Sequence, residues 1–174
     1  MKINNIFCVG RNYAKHAEEL GNALPEEPMI FSKPTNSIVL TDGKDITYFT
    51  TEGEIHYEIE VVLKVKGEVS GEDFTLDEVV SDIALGIDLT KRDVQSTLKE
   101  KGYPWLLAKG FKNSTILTDF WSFPGKEEML KTNFSLTKNG DIVQLGNLND
   151  LIFSFEELIT YINKHFGLKK GDII

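Results

Sequence analysis

Cysteine is nearly absent from this sequence: Cys8 is the only one in 174 residues, so no disulfide can close within the chain. Histidine is scarce as well, and His16, His56 and His165 stand far apart, without the spacing of a zinc site. No apolar run approaches the roughly 20 residues that a membrane span needs. The short run Ile6–Val9 lacks both the length and the small-residue cleavage site of a secretory signal. Basic charge is also in deficit, with 19 Lys and Arg against 27 Asp and Glu, a net charge of −8. Such a chain repels phosphate backbones unless it gathers a local basic patch, and none stands out, so nucleic acid is not an expected partner. The expectation is a cytoplasmic protein without a membrane partner.

Hydrophobic residues make up 41% of the chain, enough for a real core, and the length fits one domain over residues 1–174. Ile6–Val9 reads as a buried strand closed by Gly10. A helix is expected next, with Asn12 as its cap and Gly21 as its stop. Met29–Ser32 is a short apolar strand between prolines, and Thr41–Lys44 a turn. The longest strand signal is Ile55–Val65. Thr75 with Glu78 forms a capping box for a short helix to about Asp82, followed by a buried strand, Ile83–Leu89. A charged helix, Lys91–Lys101, ends at Gly102. Asn139-Gly140 marks a hairpin between Phe134–Lys138 and Asp141–Leu145. Ser154 with Glu157 opens an amphipathic helix (Leu158, Ile159, Ile162, Phe166) that stops at Gly167. Strands and helices do not alternate regularly and the hairpin is antiparallel, so the expected class is α+β.

The chemistry concentrates in Ile55–Leu63. Side chains alternate along a strand, so Ile55, Tyr57, Ile59, Val61 and Leu63 form one apolar face, while His56, Glu58, Glu60 and Val62 form the other. Carboxylates two residues apart lie about 6.7 Å from each other along the strand, and both are long enough to bend toward one ion. The plainer reading is a half-exposed strand with an acidic solvent face. Asp88, at the end of an apolar strand, either caps the following helix or binds something. Three carboxylates without clustered His or Cys suit a hard cation, Mg²⁺ or Mn²⁺. His16 and Glu19 share a helix face, an arrangement that raises imidazole basicity and makes a general base, or else an ordinary surface pair. Lys109 and Lys33 sit in apolar runs, either snorkelling to the surface or aimed at an anion in a cleft. Arg92 and Gln95 share a face of the charged helix, where they line the same pocket or simply meet solvent.

Cys8-Val9-Gly10-Arg11-Asn12-Tyr13-Ala14-Lys15-His16 and Glu27-Pro28-Met29-Ile30-Phe31-Ser32-Lys33-Pro34 resemble the opening of the fumarylacetoacetate hydrolase family, in its acylpyruvase and oxaloacetate decarboxylase branch. The likeness continues through His56–Glu60, Asp88–Gln95, Lys101–Lys109, Ile152–Ser154 and Gly171–Ile174, in order and over nearly the whole chain. The resemblance implies a fold of mixed β-sheet layers, roll- or sandwich-like, with short flanking helices. It implies Glu58, Glu60 and Asp88 as metal ligands, and His16 and Glu19 as a catalytic dyad on a helical lid. Lys109 would face a substrate oxygen, with Arg92, Gln95 and Lys33 lining the pocket of a homodimer. Members of the family continue past Gly171-Asp172-Ile173-Ile174 into a Thr-Gly-Thr-Pro stretch and further strands. The resemblance therefore implies a sheet cut short at its C-terminal side, with an open edge prone to aggregation.

The expected activity is Mg²⁺-dependent cleavage of a C–C bond in a small acylpyruvate-type oxoacid, with pyruvate enolate as leaving group. Oxaloacetate decarboxylation and keto–enol tautomerisation use the same enolate and remain open. Two readings of another class stand beside these. One is a non-catalytic paralogue serving as a binding or dimerisation module. The other is a β-rich binding protein with structural Ca²⁺ on its acidic face.

Overall fold

The computed structural model describes residues 2–13, 24–46, 53–71 and 73–174. The α+β expectation holds, because short helices flank one mixed sheet rather than alternating with its strands. Its centre is the antiparallel pair β4 (Ile55–Val65) and β5 (Val80–Lys91), in register from Ile55 opposite Lys91 to Lys64 opposite Asp82, with a shift that then sets Val65 opposite Val80. Both are rich in β-branched and aliphatic residues that fill a pleated, half-buried surface. β6 (Thr115–Leu117) and β7 (Trp121–Ser122) pair with successive parts of β5, and β3 (Ile38–Leu40) runs parallel to β6.

On the other side of β4 lies the end of the chain. Ile173 bridges Ile6 of β1 (Ile6–Gly10) in parallel and Lys64 of β4 in antiparallel sense. Hydrogen bonds from Phe7 N to Ile173 O and from Leu63 N to Ile174 O, each 2.9 Å, secure it. β1 pairs in turn with β2 (Met29–Lys33). The last residues thus lie within the sheet, between β1 and β4, and not beside a gap at its edge. Farther along β4, Gln144 of the hairpin β8–β9 (Asn133–Lys138, Asp141–Asn147) bonds Ile59 N at 2.8 Å and covers the strand's flank.

The sheet's two faces divide the core. On the outer face Leu63, Val65 and Ile83 pack with α1 (Leu76–Val79), with Met129 of α4 (Lys126–Lys131) and with Leu158, Ile159 and Ile162 of α5 (Phe155–Phe166). On the inner face Ile6, Val62, Ala84, Leu117 and Ile173 form a smaller cluster. α1 is shorter than expected: the chain is back in strand by Val80, because pairing with Val65 and burial of the Val80 side chain outweigh four residues of helix. α2 (Arg92–Glu100) and α3 (Leu106–Lys109) close the top of the inner face. Phe166, assigned to the buried face of α5, is 59% exposed, while Phe155 is buried instead. Among the described residues no helix is long and apolar enough to cross a membrane.

Candidate active site

Strand alternation decides what faces inward. Glu58 pairs with Asp88 and Glu60 with Gly86 across β4 and β5, so all four share the inner face with Thr115 and Leu117 of β6. Gly86 keeps the floor beside Glu60 open, since a Cβ there would come to 3.1 Å from both Leu117 and Val62. The same alternation along β2 points Met29, Phe31 and Lys33 at this face, and the sheet curls until Lys33 on β2 meets Asp88 on β5. Between them lies a cavity of about 200 Å³, with Glu58, Glu60, Asp88, Lys33 and Lys109 in its walls and Arg92 and Gln95 above them.

The charges at its base are tightly coupled. Lys33 Nζ donates to Asp88 Oδ1 at 2.5 Å and to the Ser114 carbonyl at 2.6 Å. Lys109 Nζ donates to Asp88 Oδ2 at 2.5 Å and to Glu58 Oε2 at 2.9 Å, with the Phe31 ring 5.2 Å beneath it. Both lysines are only 4% exposed, so the snorkelling alternative fails for each, and the anion each reaches is a carboxylate of the protein. Asp88 is not a helix cap: α2 follows Lys91 with no side-chain cap.

Burial and charge pull these groups in different directions. Burial lowers the Lys109 pKa, but Asp88 and Glu58 together outweigh it and hold the ammonium above the ordinary lysine value. Lys33 has only Asp88 as a charged partner, so burial wins and its pKa falls. Glu60 has no hydrogen-bond partner among the described residues, and burial, then Asp88 and Glu58, push its pKa up to about 8. The Cys8 thiol is driven far above its usual range, first by burial and then by Asp88, and stays protonated.

Among the described residues no three His, Cys, Asp or Glu side chains converge as they would around an ion. The ammonium of Lys109 reaches both Glu58 and Asp88 and satisfies them. Arg92 Nη1 donates to Gln95 Oε1 at 2.7 Å, so the pair expected to share a helix face does so, on the cavity side. His16 and Glu19 lie outside the described residues. The helix that Asn12 was expected to cap lies outside the described residues, and Asn12 itself serves another purpose. Its amide binds the backbone of Phe153 in both directions, at 3.0 and 2.8 Å, tying the end of β1 to the chain entering α5.

Among the wall residues given no role in the sequence reading are Arg11, Tyr13, Lys99 and Trp105. Lys99 had a legible signal, because it stands two turns beyond Arg92 on the face that also carries Gln95. Arg11 and Tyr13 had none, since their role depends on how the chain turns after β1.

Residues 5–174 match the family described as Fumarylacetoacetate (FAA) hydrolase C-terminal. The oxaloacetate tautomerase YcgM of Escherichia coli is 35% identical over 177 residues, covering 99% of this chain and 79% of that one. A mitochondrial oxaloacetate decarboxylase of Dictyostelium discoideum is 37% identical over 171 residues, covering 97% and 78%. The fumarylpyruvate hydrolase of Pseudomonas aeruginosa, solved with Mn²⁺ and pyruvate, superimposes with a TM-score of 0.87 at 31% identity, over 98% of this chain and 76% of that one. Matched along almost its whole length, this chain belongs to the fumarylacetoacetate hydrolase family.

Proposed function

We propose that this protein is a divalent-metal enzyme that carries a small oxoacid through its enolate, acting on oxaloacetate by tautomerisation or decarboxylation. The observation that carries this reading is the grouping of Glu58, Glu60 and Asp88 on one face of the sheet at the base of the cavity. Lys33 and Lys109 pair with Asp88 and Glu58, while Glu60 stands beside both carboxylates with no hydrogen-bond partner among the described residues, and burial followed by those two acids raises its pKa. The donor set fits a hard cation, Mg²⁺ or Mn²⁺, because it offers oxygens alone. Held by these three residues, such an ion would supply the Lewis acidity that stabilises negative charge on a keto oxygen.

The other residues divide the remaining work. Lys109, turned from its carboxylates, would donate to the substrate oxygen that gains charge. Lys33 would hold Asp88 in position through the existing bond. Arg92 and Gln95 would orient the substrate, and the apolar inner cluster would exclude bulk water. His16, assisted by Glu19, would exchange the proton on the carbon between the two carbonyl functions. In decarboxylation that base is dispensable, since the C–C bond breaks to CO₂ and the electron pair stays in the enolate. Acylpyruvate hydrolysis is the second reading, favoured by the likeness to the fumarylpyruvate hydrolase; it needs the base to activate a water.

Purified protein should turn over oxaloacetate or acetylpyruvate with Mg²⁺ or Mn²⁺, lose that activity in EDTA, and regain it when metal is restored. Glu58→Gln should abolish the metal-dependent rate. Undiminished turnover in EDTA, or in Glu58→Gln, would overturn the metal reading. His16→Ala sorts the reactions: loss of hydrolysis with decarboxylation retained is expected from the shared enolate. A homodimer belongs to the same proposal, and light scattering of the eluted protein checks it.

A further inference from the structure

The cavity walls carry five cations, Arg11, Lys33, Arg92, Lys99 and Lys109, against three carboxylates, in a chain whose net charge is −8. Lys33 and Lys109 are satisfied at the base by Asp88 and Glu58. Arg11, Arg92 and Lys99 form no ion pair with any carboxylate among the described residues, although the surface is rich in acids. Arg92 and Lys99 project from one face of α2, seven residues apart, and Arg11 approaches from the end of β1. Lys99 is the most exposed of the three, with its ammonium 5.1 Å over the Trp105 ring, which places it at the mouth.

Two further observations show that this cluster is held together against resistance. Arg11 has φ 58°, a left-handed conformation that glycine would adopt without strain, yet an arginine occupies it at the cavity wall. The Lys99 pKa is lowered first by partial burial and then by Arg11, Arg92 and Lys109, which outweigh the opposing pull of Glu58, so the cations feel one another. Cations that crowd together without acids are stabilised when an anion arrives between them.

We propose that Arg11 and Lys99 form a second anion subsite at the mouth, which holds the far carboxylate of a dianionic oxoacid and selects dicarboxylates over monocarboxylates. This rests on the enolate reading, in which the near carboxylate and keto group occupy the base of the cavity. In tautomerisation, where the far carboxylate does not react, Arg11 and Lys99 are positioning residues and touch none of the reacting atoms; in decarboxylation the far carboxylate is the group lost as CO₂, and holding it as a carboxylate slows that step. A substrate with two carboxylates a few bonds apart gains both ends of the cavity, whereas one with an apolar tail leaves the mouth cations unmatched.

The test uses Lys99→Met and Arg11→Asn, the latter because asparagine tolerates the left-handed backbone. Oxaloacetate turnover and oxalate binding are both measured with Mn²⁺, since oxalate has no far group to reach the mouth. Loss of one charge-assisted contact should raise KM for oxaloacetate tautomerisation about 10-fold or more in each variant, with its kcat little changed. Oxalate affinity, read by calorimetry, should stay within about twofold, and Lys99→Arg should restore most of the oxaloacetate KM. An unchanged oxaloacetate KM in both variants, or oxalate weakening in parallel, would overturn the subsite. If the wild-type protein neither binds oxalate nor turns over oxaloacetate with metal, it is the enolate reading that fails. The two failures are therefore separable.

Discussion

Asp88 is the residue on which the base of the cavity turns. One carboxylate accepts from two ammonium groups, Lys33 on Oδ1 and Lys109 on Oδ2, and all three side chains are nearly buried. Removing the shared acceptor is costly for a buried ion cluster, because it strands Lys33 and leaves Lys109 with Glu58 alone. Asp88→Asn should therefore cost about 3–5 kcal/mol in urea unfolding carried out in EDTA. Lys33→Met should cost less, because Asp88 keeps Lys109 and the methionine fills the same channel. The reverse ranking would show that side-chain packing, rather than charge, holds β2 against β5.

At the scale of elements, α5 is the part whose limits were written most clearly. The Ser154 hydroxyl accepts from Glu157 N at 3.3 Å, and the Glu157 carboxylate accepts from Ser154 N at 2.7 Å, closing the capping box. Ser154→Ala should lower stability by about 1 kcal/mol. The hydrogen bonds from the Ser154 hydroxyl and then its amide hold the Glu157 pKa below the ordinary glutamate value. A depressed carboxylate stabilises the fold above its unfolded pKa and loses that contribution as pH falls through its folded pKa. The Tm gap between wild type and Ser154→Ala should thus stay constant near neutrality and narrow below about pH 4. A gap that widens in acid would contradict the box as the source. β4 and the hairpin were equally legible, from period-two alternation and from Asn139-Gly140, because each depends on local chemistry. So was the sharing of one face by Glu58 and Glu60. That Asp88 joins that face was not legible, because the pairing of β4 with β5 depends on register between distant segments. The embrace of Asp88 by Lys33 also follows from the curl of the sheet and not from any spacing. Nor was the place of residues 171–174 between β1 and β4 legible, because it too depends on pairing between distant segments.

Across the whole molecule, the segment between β1 and β4 is what joins its two halves. β1 and β2 on one side, and β4 to β6 on the other, meet through the backbone of residues 171–174. Leu63 and Ile174 exchange hydrogen bonds of 2.9 Å in both directions, and Val65 N bonds Asp172 O at 2.9 Å. On the far side Ile173 N bonds Asn5 O at 3.0 Å. Ile173 is 1% exposed and fills the inner cluster with Ile6 and Val62. Lys33 sits on the first half and Asp88 on the second, so the cavity's base exists only while the two halves stay joined. Deleting residues 172–174 should therefore unlatch the sheet rather than trim it. Hydrogen exchange followed residue by residue should show the Phe7, Leu63 and Val65 amides losing protection. The Ile59 amide, held by Gln144 from the hairpin, should keep its own. Protection lost at all four amides together would mean the halves do not fold apart, and protection kept at Leu63 and Val65 would mean another segment takes the tail's place. Under the expected outcome Lys33 loses its fixed distance to Asp88, and oxoacid turnover should fall with the lost protection even though every proposed metal ligand is still present.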